Sequence, residues 1–126
     1  MRLRAIWILA IGVTAFMCHP AQARRHRPAH RSADVGIASF YGTRAAGRRM
    51  ANGRRFRASG LTVASRTLPL GSHVRVTDLD TGRSVEAEVE DRGPYVRGRI
   101  LDVSPGVARR IGMSRGLARV RIERLS

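Results

Sequence analysis

Apolar and polar residues alternate in short bursts along most of this chain, and glycine- or aspartate-containing turns separate the bursts. The clearest bursts are His73–Leu79, HVRVTDL, and Ser84–Glu90, SVEAEVE. Val74 and Val76 in the first, and Val85, Ala87 and Val89 in the second, fall at alternate positions. Period two places one set of side chains on a buried face and the other in water, the signature of a half-buried strand. Asp80-Thr81-Gly82 between the two runs is a turn, so the pair is predicted as a hairpin. Shorter runs of the same kind predict strands at GIASFYG (Gly36–Gly42), LTVAS (Leu61–Ser65), RILDV (Arg99–Val103) and ARVRIERL (Ala118–Leu125). One short helix is predicted after Arg99–Val103. Ser104 suits its N-cap, Pro105 its first turn, and VARRIGM (Val107–Met113) fills it. About six short strands with one small helix indicate a mainly β fold, a small six-stranded β-barrel.

The segments between the strands have their own character. RAAGRRMANGRRFRASG, residues 44–60, is a long Gly/Arg loop with a turn signal at Asn52-Gly53. RRHRPAHRSAD, residues 24–34, is basic and proline-containing without an apolar period, and reads as a flexible tether. His26 and His30 lie four apart there, but neither helical pattern nor acidic partners support a metal site.

Upstream of the tether, Met1–Arg4 is charged, Ala5–Cys18 is a fourteen-residue apolar run, and Ala21-Gln22-Ala23 is a small-residue cleavage site. Those features define a secretory signal peptide over residues 1–23. An uncleaved anchor is the lesser reading, because a spanning helix needs about 20 apolar residues. Phe16 and Met17 before Cys18 are bulkier than a lipoprotein signal requires, so lipid anchoring at Cys18 is also the weaker alternative. Cleavage after Ala23 leaves no cysteine, and hence a domain over residues 35–126 held by packing instead of disulfides. Export places this domain in the periplasm or cell envelope, with no transmembrane segment.

Charge narrows the partners. The chain of 126 residues carries a net charge of +15, and all 24 basic residues are arginine. The first 23 residues hold two arginines and no acid, so the remainder keeps +13. Such a surface adheres to polyanions. Outside the cytoplasm these are anionic wall polymers and lipid headgroups, and nucleic acid is not expected. A polyanion-binding protein without glycan specificity is one reading of charge alone.

The acids are few, nine in all, and their placement is informative. Glu86, Glu88 and Glu90 share one strand face. A solvated face paired with arginines of neighbouring strands explains them, and a substrate-facing acidic stripe is the alternative. Asp91 is different: the strand ends on it, and Arg92-Gly93-Pro94 follows at once. A carboxylate held at a strand end beside a rigid turn suits general acid/base work, where position comes first. It also suits a plain turn cap. Asp102, just before Ser104-Pro105, reads as a structural acid, a buried hydrogen-bond acceptor near the helix start. Tyr41 and Tyr95 could stack on sugar rings, as could Phe40 unless it belongs to the core. Arg66, Arg92 and Arg97 could line a groove for anionic groups.

GIASFYG, MANGRRF, LTVASRTLPLGSHVRVTDLDTGRSVEAEVEDRGPYVRGRILDVS and RIGMSRGLARVRIE follow one another in an order that resembles the rare lipoprotein A (RlpA-like) family. The resemblance runs from about Gly36 to Glu123. It implies a double-psi β-barrel, the fold of barwin-like domains and expansins. It also implies an endolytic lytic transglycosylase, a lyase acting on peptidoglycan glycan strands and preferring those stripped of stem peptides. Such an enzyme cuts the MurNAc–GlcNAc linkage, leaves a 1,6-anhydro-MurNAc end, and needs no metal or organic cofactor. A monomer is expected.

Carried over position by position, the family's N-D-R-G-P aspartate falls on Asp91, implied as the catalytic residue, with Glu90 in place of the asparagine. The family's A-N/S-G-E segment falls on Ala51-Asn52-Gly53-Arg54, and its T-A-A-H segment on Thr62-Val63-Ala64-Ser65. Two of the three polar positions that the resemblance implies as catalytic have therefore changed, glutamate to Arg54 and histidine to Ser65. Arg54 cannot donate a proton but could hold a substrate carboxylate. Ser65 could hydrogen-bond a sugar hydroxyl but cannot relay a proton as imidazole does. The other reading of the same barrel is a non-catalytic, expansin-like glycan-binding module.

Overall fold

The computed structural model of the chain describes residues 33–40, 42 and 45–126. The segment read as a signal peptide, with Cys18, the segment read as a tether through Ser32, with His26 and His30, and Tyr41 lie outside the described residues. Six strands close into a barrel: β1 (Ala33–Phe40), β2 (Thr62–Ala64), β3 (His73–Asp78), β4 (Ser84–Asp91), β5 (Arg99–Val103) and β6 (Leu117–Arg124). Among the described residues one helix, α1 (Pro105–Ile111), sits between β5 and β6. Around the barrel the order is β1-β5-β2-β4-β3-β6. β1 with β5 and β2 with β4 run parallel, and the other pairs are antiparallel. Closure leaves no free sheet edge, which suits strands as short as these.

The alternating pattern is legible in the burial. Val74, Val76, Val89, Leu101, Val103 and Val120 are wholly inside, and Val85 packs against them from the rim. The predicted hairpin is β3–β4, with Val76 opposite Val85 and Val74 opposite Ala87. β1 starts at Ala33, two residues inside the segment expected as tether, because Ala33 and Asp34 pair with Glu123 and Ile122 of β6.

α1 begins where its capping signals lie. Ser104, fully buried, accepts from the Val107 N–H at 3.2 Å. Its hydroxyl also donates to the Gly60 carbonyl, so one side chain ties helix, loop and β2 entry together. Gly112 closes the helix in a left-handed conformation at φ 74°, two residues short of Val107–Met113 as first read. Gly106 must be glycine for another reason. A Cβ there would lie 2.7 Å from the carbonyl oxygens of Ser59 and Gly60.

The glutamate face of β4 is only partly as expected. Glu86 pairs with Arg75 of β3 at 3.2 Å in water. Glu90 is buried, 6 % exposed, and is no part of a solvated face.

Candidate active site

β2 meets β4 with a slip of one residue. Val63 stands opposite Val89, but Ala64 stands opposite Asp91, so Glu90 is an extra residue in the ladder. Strict alternation would point Asp91 into the core beside Ala87 and Val89. The bulge shifts the parity and turns Asp91 to the other face. Period-two reasoning from the sequence could not foresee this inserted step.

The long Gly/Arg loop is itself a small hairpin. Arg49 and Arg55 form a bridge, and the Phe56 N–H donates to Arg48 O at 2.8 Å. Its tip turns at Asn52-Gly53, with Gly53 at φ 84° and the Asn52 side chain accepting from the Arg54 N–H at 2.9 Å. Met50 and Phe56 are buried beneath it. The hairpin docks on the end of β4 through its backbone: the Ala51 N–H donates to Asp91 Oδ1 at 2.9 Å, and the Asn52 N–H to Glu90 O at 3.1 Å. The Arg92 N–H donates to the same Asp91 oxygen at 2.8 Å. Two backbone donors from different segments thus hold one carboxylate.

Beyond Asp91 the chain is clamped. The Arg92 guanidinium donates to Ser65 O at 2.9 Å and to Leu68 O, stapling the β2–β3 turn to the β4 end. Gly93 sits at φ 128°, where a side chain would be strained, and the Gly93–Pro94 peptide is cis. Asp91 opens into a cavity of about 290 Å³, lined by Arg48, Arg49, Met50, Phe56, Arg92 and Tyr95. Tyr95 is 78 % exposed at its mouth. The arrangement places a carboxylate among three cationic side chains with an aromatic ring alongside, which fits a sugar chain carrying anionic groups.

The remaining candidates fall elsewhere. Arg54 does not line this cavity. It pairs with Glu90 at 3.1 Å and lies 4.0 Å from Glu88, beside a neighbouring depression shared with Arg55, Arg57 and Thr62. Ser65 is buried, and its hydroxyl accepts from the Leu68 N–H at 3.1 Å and the Thr67 N–H at 3.3 Å. It caps a turn beside a third depression that Ser65 also helps to line. Arg66 is exposed and lines a third depression with Asp34, Val35 and Ile100. Arg97 is exposed on the β4–β5 loop.

Asp102 stands two residues before the Ser104 cap. It is half-buried in β5, and its Oδ1 accepts from the Ser39 hydroxyl of β1, whereas the helix start is capped by Ser104. Burial pushes its carboxyl above the ordinary value of 3.8, and the negative charge of Asp91 pushes the same way. The Ser39 hydrogen bond and Arg99 pull it down by less. Arg48, Arg49 and Ser39 escaped sequence reasoning. Among so many arginines nothing in spacing alone marks those two, and a serine within a strand carries no signal until its partner is known.

A closed six-stranded barrel with two parallel strand pairs and an Asp-Arg-Gly-Pro strand end defines a double-psi β-barrel. Residues 33–122 match the family model described as "Lytic transglycolase", and the chain belongs to that family. Among its relatives, the probable endolytic peptidoglycan transglycosylase RlpA of Synechocystis is 51 % identical over 89 residues, covering 70 % of this chain and 28 % of the relative. The RlpA of Pseudomonas aeruginosa UCBPP-PA14 is 48 % identical over 90 residues, 71 % of this chain and 26 % of its own. That of Neisseria meningitidis serogroup A is 41 % identical over 106 residues, 81 % and 44 %. The chain therefore spans less than half the length of these relatives. An expansin from Clavibacter michiganensis superposes with a TM-score of 0.60 at 20 % identity, over 75 % of this chain and 51 % of that one. Streptomyces papain inhibitor superposes with a TM-score of 0.58 at 22 % identity, over 75 % and 96 %. These two share the fold.

Proposed function

We propose that this protein is an endolytic lytic transglycosylase of the cell envelope. It cleaves MurNAc–GlcNAc bonds of peptidoglycan glycan strands, prefers strands without stem peptides, and leaves 1,6-anhydro-MurNAc ends. The observation that carries the reading is Asp91, turned outward by a bulge and held by two backbone N–H groups at the edge of an arginine- and tyrosine-lined cavity. Asp91 supplies acid/base chemistry at the scissile bond. Arg48, Arg49 and Arg92 face the lactyl carboxylates of MurNAc, and Tyr95 offers a ring to a sugar face. Export by the segment 1–23 and action as a monomer belong to the same reading. Among the described residues no helix is long and apolar enough to cross a membrane.

A second reading, a glycan-binding module without chemistry, is favoured by one observation. Neither Arg54, tied to Glu90, nor Ser65, tied into a turn, can replace the acid and imidazole expected at those positions. One experiment separates the two. Amidase-stripped glycan strands are incubated with the protein or with Asp91→Asn, and the ends are read by mass spectrometry. New 1,6-anhydro ends from the unaltered protein, reduced about 10²–10⁴-fold in the variant, match the loss of a positioned acid/base. Glycan binding by both proteins without new ends would establish the binding module.

A further inference from the structure

The hairpin that docks on Asp91 has a recess on either side. Arg49 and Arg55 are bridge partners across it. Arg49 lines the Asp91 cavity, and Arg55 lines the depression that holds Arg54, Arg57, Gly60, Thr62 and Glu90. Paired Cα atoms lie about 5 Å apart, so little more than the width of one hairpin separates the two. The depression is the larger, about 540 Å³ against 290 Å³. Its charges do not cancel. Three guanidinium groups line it with one carboxylate, Glu90, and that carboxylate is held by Arg54 at 3.1 Å. Arg54 also lies 4.0 Å from Glu88. Arg55 donates to Gly47 O at 2.9 Å, a neutral carbonyl that leaves its charge unpaired. Among the described residues Arg57 has neither an ion pair nor a side-chain hydrogen bond. Its backbone is fixed, because Phe56 before it is buried and the Gly60 N–H donates to Arg57 O at 3.1 Å. Thr62 Oγ1, also among the described residues, is buried without a hydrogen-bond partner. Such a group in a folded protein calls for a water or a ligand. The Gly60 carbonyl is taken by the Ser104 hydroxyl and does not compete for these donors.

We propose that this depression is a second anion-binding subsite, in which Arg57 and Arg55 take the free lactyl carboxylate of the MurNAc next along the strand from the one at Asp91. The assignment rests on the glycan-strand reading above and deepens it. A stripped strand differs from a peptide-bearing one at this very group, because removing the stem peptide turns a neutral amide into a carboxylate. Guanidinium pairs with a carboxylate through two charge-assisted hydrogen bonds, and an amide offers it only a neutral oxygen. Arginines on both sides of the hairpin therefore read the stripped state directly, at two successive MurNAc residues. Arg54 has a different part. It neutralises Glu90, whose buried charge would otherwise repel the incoming carboxylate. The family pattern has a glutamate where Arg54 stands, which would add a negative charge at the same place, so the positive surplus belongs to this chain.

The test uses the full-length protein carrying Asp91→Asn, so that strands stay intact while binding is measured by calorimetry. The probes are stripped glycan strands and the same strands with their lactyl carboxylates converted to methylamides. Adding Arg57→Gln weakens binding to stripped strands about 10-fold and leaves binding to methylamide strands unchanged. Arg57 is exposed, so the variant folds. Arg124→Gln removes the same charge from an exposed position at the end of β6, outside both recesses, and leaves affinity for stripped strands unchanged. Equal losses in Arg57→Gln and Arg124→Gln would reduce the subsite to diffuse charge and overturn it. A loss in Arg57→Gln that persists on methylamide strands would overturn the carboxylate as its ligand. Binding to stripped strands that ignores Arg57→Gln sinks this inference alone. No binding to stripped strands by any form sinks it together with the proposed function. Carboxylate-dependent binding through Arg57, without cleavage by the unaltered protein, upholds the subsite and removes only the chemistry at Asp91.

Discussion

Arg54 and Glu90 form one ion pair, yet removing either partner should have very different consequences. The two residues occupy two of the three positions that differ from the pattern the family resemblance implies, loop glutamate to arginine and strand asparagine to glutamate, and in space they meet at 3.1 Å. The Arg54 side chain is 68 % exposed, and Glu90 is buried in the bulge that turns Asp91 outward. In Glu90→Gln the arginine swings into water and is hydrated, so only a screened attraction is lost, about 0.2–1 kcal/mol. In Arg54→Ala the carboxylate stays behind in a dry setting without its main partner, which costs about 1–3 kcal/mol. The double variant should cost little more than Glu90→Gln alone, since no stranded charge remains. That leaves a coupling of about 1–2 kcal/mol between the two positions, within the range seen for contacting pairs. For a domain near 100 residues each kcal/mol moves Tm by about 4–8 °C, so thermal unfolding of the four proteins resolves the cycle. Equal losses in the two single variants, or simple additivity in the double, would refute the reasoning. Because Asn52 of the same hairpin donates to Glu90 O and Ala51 to Asp91, Arg54→Ala should also loosen the hold on Asp91.

Two further outcomes are expected. Ser104→Ala removes the α1 cap and the bond to Gly60, and should cost about 2 kcal/mol, measured by urea unfolding. Asp102 binds its proton more tightly in the folded state than in the unfolded chain. Its contribution to stability is therefore complete below the ordinary value of 3.8 and fades as pH rises through the raised one. Asp102→Asn should flatten that decline, and an unchanged slope in unfolding free energy against pH would contradict it.

The positions of all six strands and of α1 were legible in the chain, for a local reason. Alternation in HVRVTDL and SVEAEVE, and Ser104-Pro105 before VARRIGM, express contacts between residues near in sequence. Asp91 stood out on the same grounds, as a carboxylate stopped by Arg-Gly-Pro. What surrounds it did not, because each determinant is a meeting of distant segments. The extra residue at Glu90 is defined only against β2, and it reverses the face that alternation assigns to Asp91. Ser65 fell on a family position for chemistry, and only the fold shows its hydroxyl accepting from the Thr67 and Leu68 N–H groups of a turn. Arg54 looked like a lost acid, and its meaning came from Glu90, 36 residues away. Asp102 gained its neighbour because barrel closure sets β4 and β5 on either side of β2. Hydrophobic periodicity specifies which segments become strands and which faces are buried, since those depend on the next few residues. Register, bulges and the pairing of charges depend on which strands lie side by side, and only the folded barrel decides that.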